Sequence, residues 1–258
     1  MTTKALRCGP WVAVGLLLLS SGGPALSAGC AFETQGEGRV AAVIDISTIR
    51  LDDGREVRLA GIVQVSSDKT KAAALTVIVG GQDVTLRGED DAPDRYGRQA
   101  AFVFLSGSET PVQSELLRRG EALVSTEIAN KDCAAELAAA EAEARQAKRG
   151  TWADPAAIKN AESPGDILAG TGRFTVVEGK VLSVRQAGAT TYLNFGRNWT
   201  RDFAVTISRR MVAAFEAVGL SPKSLENRRI RVRGYVEARG GPRIEVLRVG
   251  QIEVLGGN

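Results

Sequence analysis

Histidine is absent from all 258 residues. No reaction step here can use an imidazole as general base, and no metal can take an imidazole ligand. Cysteine is scarce, with Cys8, Cys30 and Cys133 the only three. The two absences together exclude a His/Cys zinc site of the tetrahedral kind. Long apolar runs are also missing. The one of note, residues 11–19, is too short to cross a bilayer as a helix. No transmembrane segment is expected in the mature chain. Low-complexity tracts and a clear internal repeat are likewise absent.

The short apolar run has a definite context. Lys4 and Arg7 precede it, and Pro24, Ala25, Ser27 and Ala28 follow it. A basic start, an apolar centre and a small-residue exit mark residues 1–28 as a secretory signal, cleaved after Ala28. The protein is therefore expected to be exported, to the periplasm or beyond the cell. Ser27-Ala28-Gly29-Cys30 is a loose lipobox without the usual Leu three residues before the Cys, so a lipid anchor on Cys30 is the lesser alternative. Loss of the signal removes Cys8 and leaves Cys30 and Cys133 as an even pair in an oxidising compartment. They are expected to form a disulfide.

Charge divides the chain. Residues 29–164 hold 16 Lys/Arg against 22 Asp/Glu, whereas residues 165–258 hold 15 against 8. Such asymmetry implies different partners for the two halves, or halves that attract each other. Turn and periodicity signals give strands at 38–44, 48–51 and 56–62, a helix at 70–79, strands at 83–87 and 100–105, and helices at 112–119 and 133–149. Residues 154–172, rich in Ala, Pro and Gly, read as a linker. Three further strands at 174–184, 191–195 and 203–207, a helix at 210–218 and two last strands at 229–238 and 242–255 complete the chain. The expected fold is mainly β with helices: two OB-fold-like five-stranded barrels, at 29–153 and 173–258.

The first of these units carries specific motifs. They are VIDISTIRLDDGREVRLAGI at 43–62, DRYGR at 94–98, VQSELLRRGEALV at 112–124, and the Ala140–Trp152 pattern A-E-x-x-A-R-x-x-x-x-G-x-W. In this order, over 38–152, they resemble the staphylococcal thermonuclease family. Active members use calcium, held by carboxylates, and a glutamate base to drive water at a phosphodiester. Two arginines steady the phosphoryl charge. By that resemblance the metal-binding carboxylates fall on Ser47 and Val63, the base falls on Ser66, and the phosphate arginines fall on Arg58 and Arg98. The charge clamp is kept and the acids are lost. A serine cannot act as a carboxylate base near neutral pH. No catalytic residue, metal or cofactor is expected, and Arg58 and Arg98 are candidate anion-binding residues or partners of nearby acids such as Asp45 and Asp94.

The second unit interleaves aromatics with arginines. Tyr192, Arg197, Trp199 and Arg201 lie on one stretch, and Arg229, Arg231 and Arg233 share one face of a later strand. Basic grooves with stacking aromatics bind single-stranded nucleic acid, so this unit is the candidate site for a nucleic acid or other polyanion. The same features also fit a solvated face, or docking on the acidic first unit. The expected function is a non-catalytic, exported binding protein on a thermonuclease-like scaffold, with an anionic ligand, a nucleic acid or an envelope protein as partner. The alternative is a secreted phosphodiesterase with a relocated calcium site.

Overall fold

The computed structural model describes residues 29–64 and 70–256. Residues 1–28, expected to be a signal peptide, and Ser66 lie outside the described residues. The first half runs β1 (Thr34–Asp45), β2 (Thr48–Leu51), β3 (Glu56–Leu59), β4 (Ile62–Gln64), α1 (Thr70–Val79), β5 (Asp83–Arg87), β6 (Arg98–Leu105), α2 (Val112–Arg118), β7 (Ala122–Val124) and α3 (Lys131–Gln146). Apolar side chains alternate along β2, β3 and β5, so Ile49, Leu51, Val57, Leu59, Val84 and Leu86 share one buried interior.

Strand β1 is 12 residues long and serves two neighbours. Its first part pairs with β5 and its second part with β2, with register shifts between Val40 and Ala42 and between Val43 and Asp45. Such irregularities bend a strand. The bend lets β1, β2, β3, β6 and β5 close a hydrogen-bonded ring, with β3 and β6 parallel. Two helices anchor to it. Buried Gln113 of α2 donates to the Ala60 and Ala101 carbonyls at 3.2 and 3.0 Å and accepts from the Val103 N–H. Asn130 caps α3, its side chain accepting from the N–H groups of Asp132 and Cys133. The expected disulfide is present, joining Cys30 to Cys133 on α3.

The second half runs β8 (Ile158–Asn160), α4 (Pro164–Leu168), β9 (Phe174–Lys180), β10 (Ser183–Ala187), β11 (Thr190–Asn194), β12 (Ala204–Ser208), α5 (Arg209–Glu216), β13 (Arg229–Arg239), β14 (Gly241–Val246) and β15 (Ile252–Leu255). Here the expectation of two OB-fold barrels is corrected. The strands form an open eight-stranded sheet in the order β10-β11-β12-β14-β13-β9-β8, with β15 paired to β13 off that path. The fold is therefore one strand ring and one open sheet.

Two local events account for the difference. The stretch expected as one strand from 174 is interrupted at Val181 and Leu182. The N–H of Val181 turns to the Arg228 carbonyl and that of Leu182 to the Asn194 carbonyl, so β9 stays with β13 while β10 joins β11. The stretch read as linker also folds. Its β8 pairs in parallel with β9, and its Ala161 and Ile167 are buried. Short strands β4 and β7, which pair with each other, carry too little periodicity to be read from sequence.

The halves meet over a mixed interface. Leu123, Ala144 and Trp152 of the first half pack with Val176, and Phe174 leans on this cluster. Beside it, the Arg233 guanidinium of β13 forms a buried ion pair with Glu141 of α3, at 2.7 and 3.0 Å to the two carboxylate oxygens. Glu141 also accepts from the Val124 N–H at 2.7 Å and pairs with Arg145. The Arg145 charge is disfavoured by burial first and by nearby Arg231 second, so its pKa is lowered. For Arg231 itself, burial works against the charge, but the hydrogen bonds it donates to Glu178 and Glu253 outweigh it and its pKa is raised.

Candidate functional site

Two concave regions bear on function. The first lies where the hairpin β2–β3 faces the second half. It is a small pocket of about 240 Å³ lined by Ser47, Arg58, Val63, Ser125 and Glu127, together with Phe174 and Tyr235 from the second half. The hairpin's remaining acid is already engaged: Asp45 accepts from the Ser47 N–H at 2.7 Å and the Ser47 hydroxyl at 2.8 Å, closing the turn. Arg58 approaches Glu127 at 3.6 Å. Arg98 does not line this pocket. Its guanidinium donates to Asp94 at 2.8 and 3.1 Å. Asp94 also accepts from the Arg98 and Tyr96 N–H groups, which tightens the turn around Gly97. The Arg98 N–H first, then its guanidinium and the Tyr96 N–H, hold the Asp94 carboxyl down at a pKa of about 2 against a partial desolvation. Among the described residues, no group of three or more His, Cys, Asp or Glu side chains is placed to hold a metal ion.

The second region is larger, about 810 Å³, and belongs wholly to the second half. Its walls come from β10 (Leu182 beside it, then Ser183, Arg185 and Ala187), from β11 (Tyr192 and Asn194), from the loop after β11 (Gly196, Arg197 and Trp199), and from Arg243 of β14. Hairpin register places Arg185 opposite Tyr192 and Ser183 opposite Asn194. The Asn194 amide N–H donates to the Ser183 hydroxyl at 3.3 Å. The Arg243 guanidinium sits 5.5 Å from the Tyr192 ring centroid.

The loop that carries Arg197 and Trp199 is held at both ends and in the middle. Phe195 and Phe203 are buried, their ring centroids 5.0 Å apart. Asp202 accepts from the Asn198 N–H at 2.8 Å, and the Asn198 side chain accepts from the Thr200 N–H and hydroxyl. A Cβ on Gly196 would lie 1.9 Å from an Asp202 carboxylate oxygen, so this close approach requires glycine. The apolar ends go inward and Trp199 is left outside, 72% exposed.

The residues from 48 to 154 match a protein-family model, that of the Staphylococcal nuclease homologue. They form a thermonuclease-like domain. No curated protein matches the chain. The match stops at the interface with the second half, so the open sheet stands outside it.

The thermonuclease-like domain keeps Arg58 and Arg98 at the positions the resemblance assigns to the phosphate clamp, but each faces a carboxylate of its own domain. Ser47 and Val63 line one pocket, and neither supplies a charged oxygen. In the second half, Tyr192, Arg197 and Trp199 come together on the cleft. Arg201 does not line it. Arg229, Arg231 and Arg233 are on another face: Arg229 is exposed near Glu178, Arg231 pairs with Glu178 and Glu253 at 2.6 Å each, and Arg233 is held by Glu141. Arg185 and Arg243 were not singled out from sequence. A hairpin register counted from Gly188 would have found Arg185. Arg243 reaches the cleft only because β14 runs parallel beside β12, and no local pattern encodes that.

Proposed function

We propose that this is an exported, non-catalytic binding protein. Its thermonuclease-like domain serves as a scaffold, and its second half holds an anionic ligand. The observation that carries the reading is a contrast between the two concave regions. In the thermonuclease-like domain each clamp arginine stands beside an acid, Arg98 bonded to Asp94 at 2.8 Å and Arg58 3.6 Å from the exposed Glu127. At the cleft, Arg185, Arg197 and Arg243 make no ion pair among the described residues, and no acidic side chain lines the walls. Positive charge on a concave surface whose walls carry no acid attracts anions.

The lesion in the nuclease chemistry supports the same reading. Calcium sites depend on several oxygen ligands of high charge. The positions concerned offer Ser47 and Val63, and beside Ser47 stands Asp45, whose Oδ1 already accepts two hydrogen bonds. The disulfide bears on location: a sulfur joined to Cys133 cannot carry a thioether-linked lipid, and a disulfide persists in oxidising compartments. Among the described residues no helix is long and apolar enough to cross a membrane.

The test has two arms. Mature protein incubated with single- and double-stranded DNA and RNA, with calcium, magnesium or manganese, should cleave no faster than buffer. Metal-dependent cleavage lost in Arg58→Ala would overturn the non-catalytic reading. In the second arm, polyphosphate should bind at low salt and leave as salt rises. Absence of any polyanion binding at low salt would overturn the ligand reading.

A further inference from the structure

We propose that the second-half cleft is a single-stranded nucleic-acid site, in which bases lie against Trp199 and Tyr192 and the backbone phosphates meet Arg185, Arg197 and Arg243. The proposal rests on the anionic-ligand reading above and names the chemistry of that ligand.

Size and composition agree. At about 810 Å³ the cleft falls in the range of small-molecule sites and exceeds what a bare inorganic anion fills. Its arginines alone would suffice for such an anion, and its aromatics would then have no role. Trp199 is the more telling group. An indole left 72% exposed at the tip of a loop that buries both flanking phenylalanines has no packing purpose in the fold. An exposed indole beside unpaired arginines matches a ligand with planar π-faces and negative charge together.

Single strands offer that combination. A duplex hides its base faces in the stack, and an acidic peptide presents carboxylates without planar rings. Bases stack on aromatic side chains with little regard to sequence, because every base has a π-face. The platform is also preorganised. Tyr192 stands on a strand paired on both sides. The Arg243 guanidinium beside its ring fixes one phosphate position. Asn194, buried at the cleft floor, uses its amide N–H on Ser183, and its carbonyl oxygen accepts no hydrogen bond among the described residues. That oxygen is an acceptor for a base N–H. The nearest acid on this loop, Asp202, is engaged by the Asn198 N–H.

The decisive experiment titrates the mature chain and follows tryptophan emission. Trp152 is buried and Trp199 exposed, so quenching by a ligand reports on Trp199. Four probes are compared: a short oligothymidylate, an abasic strand of the same length and charge, polyphosphate, and thymidine monophosphate. The oligothymidylate should quench Trp199 and bind roughly five- to a hundred-and-fifty-fold more tightly than the abasic strand if one base stacks, and more tightly still if two do. Trp199→Ala, followed by the anisotropy of labelled strands because the emission reporter is gone, should weaken oligothymidylate binding and narrow its preference over the abasic strand. Because the side chain is exposed, the variant should keep the parent far-ultraviolet dichroism. Replacing Arg185 and Arg243 together by Gln should weaken both strands and reduce the salt dependence. Equal binding of the base-bearing and abasic strands would overturn this proposal while the anionic-ligand reading stands. Failure of every probe, polyphosphate included, would overturn both. Thymidine monophosphate binding as tightly as the oligonucleotide would assign the cleft to a free nucleotide and overturn the strand.

Discussion

Replacing Arg233 by methionine would break the ionic latch between α3 and β13 while keeping most of the side-chain volume. Both partners are nearly sealed from water, with side-chain exposures of 10% for Arg233 and 1% for Glu141. Removing one member of such a pair leaves a charge buried without its counter-ion, at a cost of about 3–5 kcal/mol. Glu141 retains the Val124 N–H and Arg145, which places the expected loss toward the lower end. For a chain of this size each kcal/mol moves the midpoint by about 2–4 °C, so Tm should fall by about 6–15 °C. The double variant Arg233→Met, Glu141→Leu removes both charges but strands the Val124 N–H, a loss of about 1–3 kcal/mol. It should therefore be more stable than the sum of the two single losses implies. Thermal melting and urea titration of the four proteins give the coupling directly. A shift below about 2 °C for Arg233→Met, or strict additivity in the cycle, would refute the latch.

The disulfide closes a separation of 103 residues, which in the chain-entropy model contributes up to about 4–5 kcal/mol. Cys30→Ala with Cys133→Ala should lower the urea midpoint markedly, and two free thiols in protein isolated without reductant would contradict the pairing. The Asp94 carboxyl, held at about 2 instead of its ordinary 3.8, favours the folded turn above the ordinary value and loses that contribution as pH falls from about 4 to 2. Asp94→Asn should flatten the acid limb of the loop's stability, and a carboxyl resonance titrating near 4 would argue against the assigned contacts. Gly196→Ala should displace the Trp199 loop, because its Cβ collides with Asp202. A Trp199 emission spectrum and oligonucleotide affinity equal to the parent's would show that the loop does not need the close approach.

Much of the local structure was legible because it is written in short-range signals. Alternation marked β2, β3 and β5, glycine turns ended α1 and α2, and the cysteine count gave the disulfide. Ordered motifs from the β2–β3 hairpin to Trp152 pointed to the thermonuclease-like domain, and the missing carboxylates at Ser47 and Val63 were visible as plain substitutions. Tyr192, Arg197 and Trp199, which line one cleft, could be read as neighbours because aromatics and arginines alternate on a single stretch. Arg231 and Arg233 were read by the same kind of pattern as binding candidates, and they sit in ion pairs instead. Strand periodicity placed them on one face, but it could not say that Glu178, Glu253 and Glu141 cover that face.

The sequence by itself thus determined which groups are available: no imidazole, few acids where the resemblance would place a metal, three cysteines, and a basic second half. Only the tertiary structure decided which charges are already satisfied. Whether an arginine is a ligand site or half of an ion pair depends on residues 53 or 92 positions away, brought close by strand order and sheet closure. Those long-range pairings also decided that the second half forms an open sheet rather than a ring. A two-residue interruption at Val181 and Leu182 sends β9 and β10 to different neighbours, and hydrophobic periodicity fixes the face of a strand without naming the strand beside it.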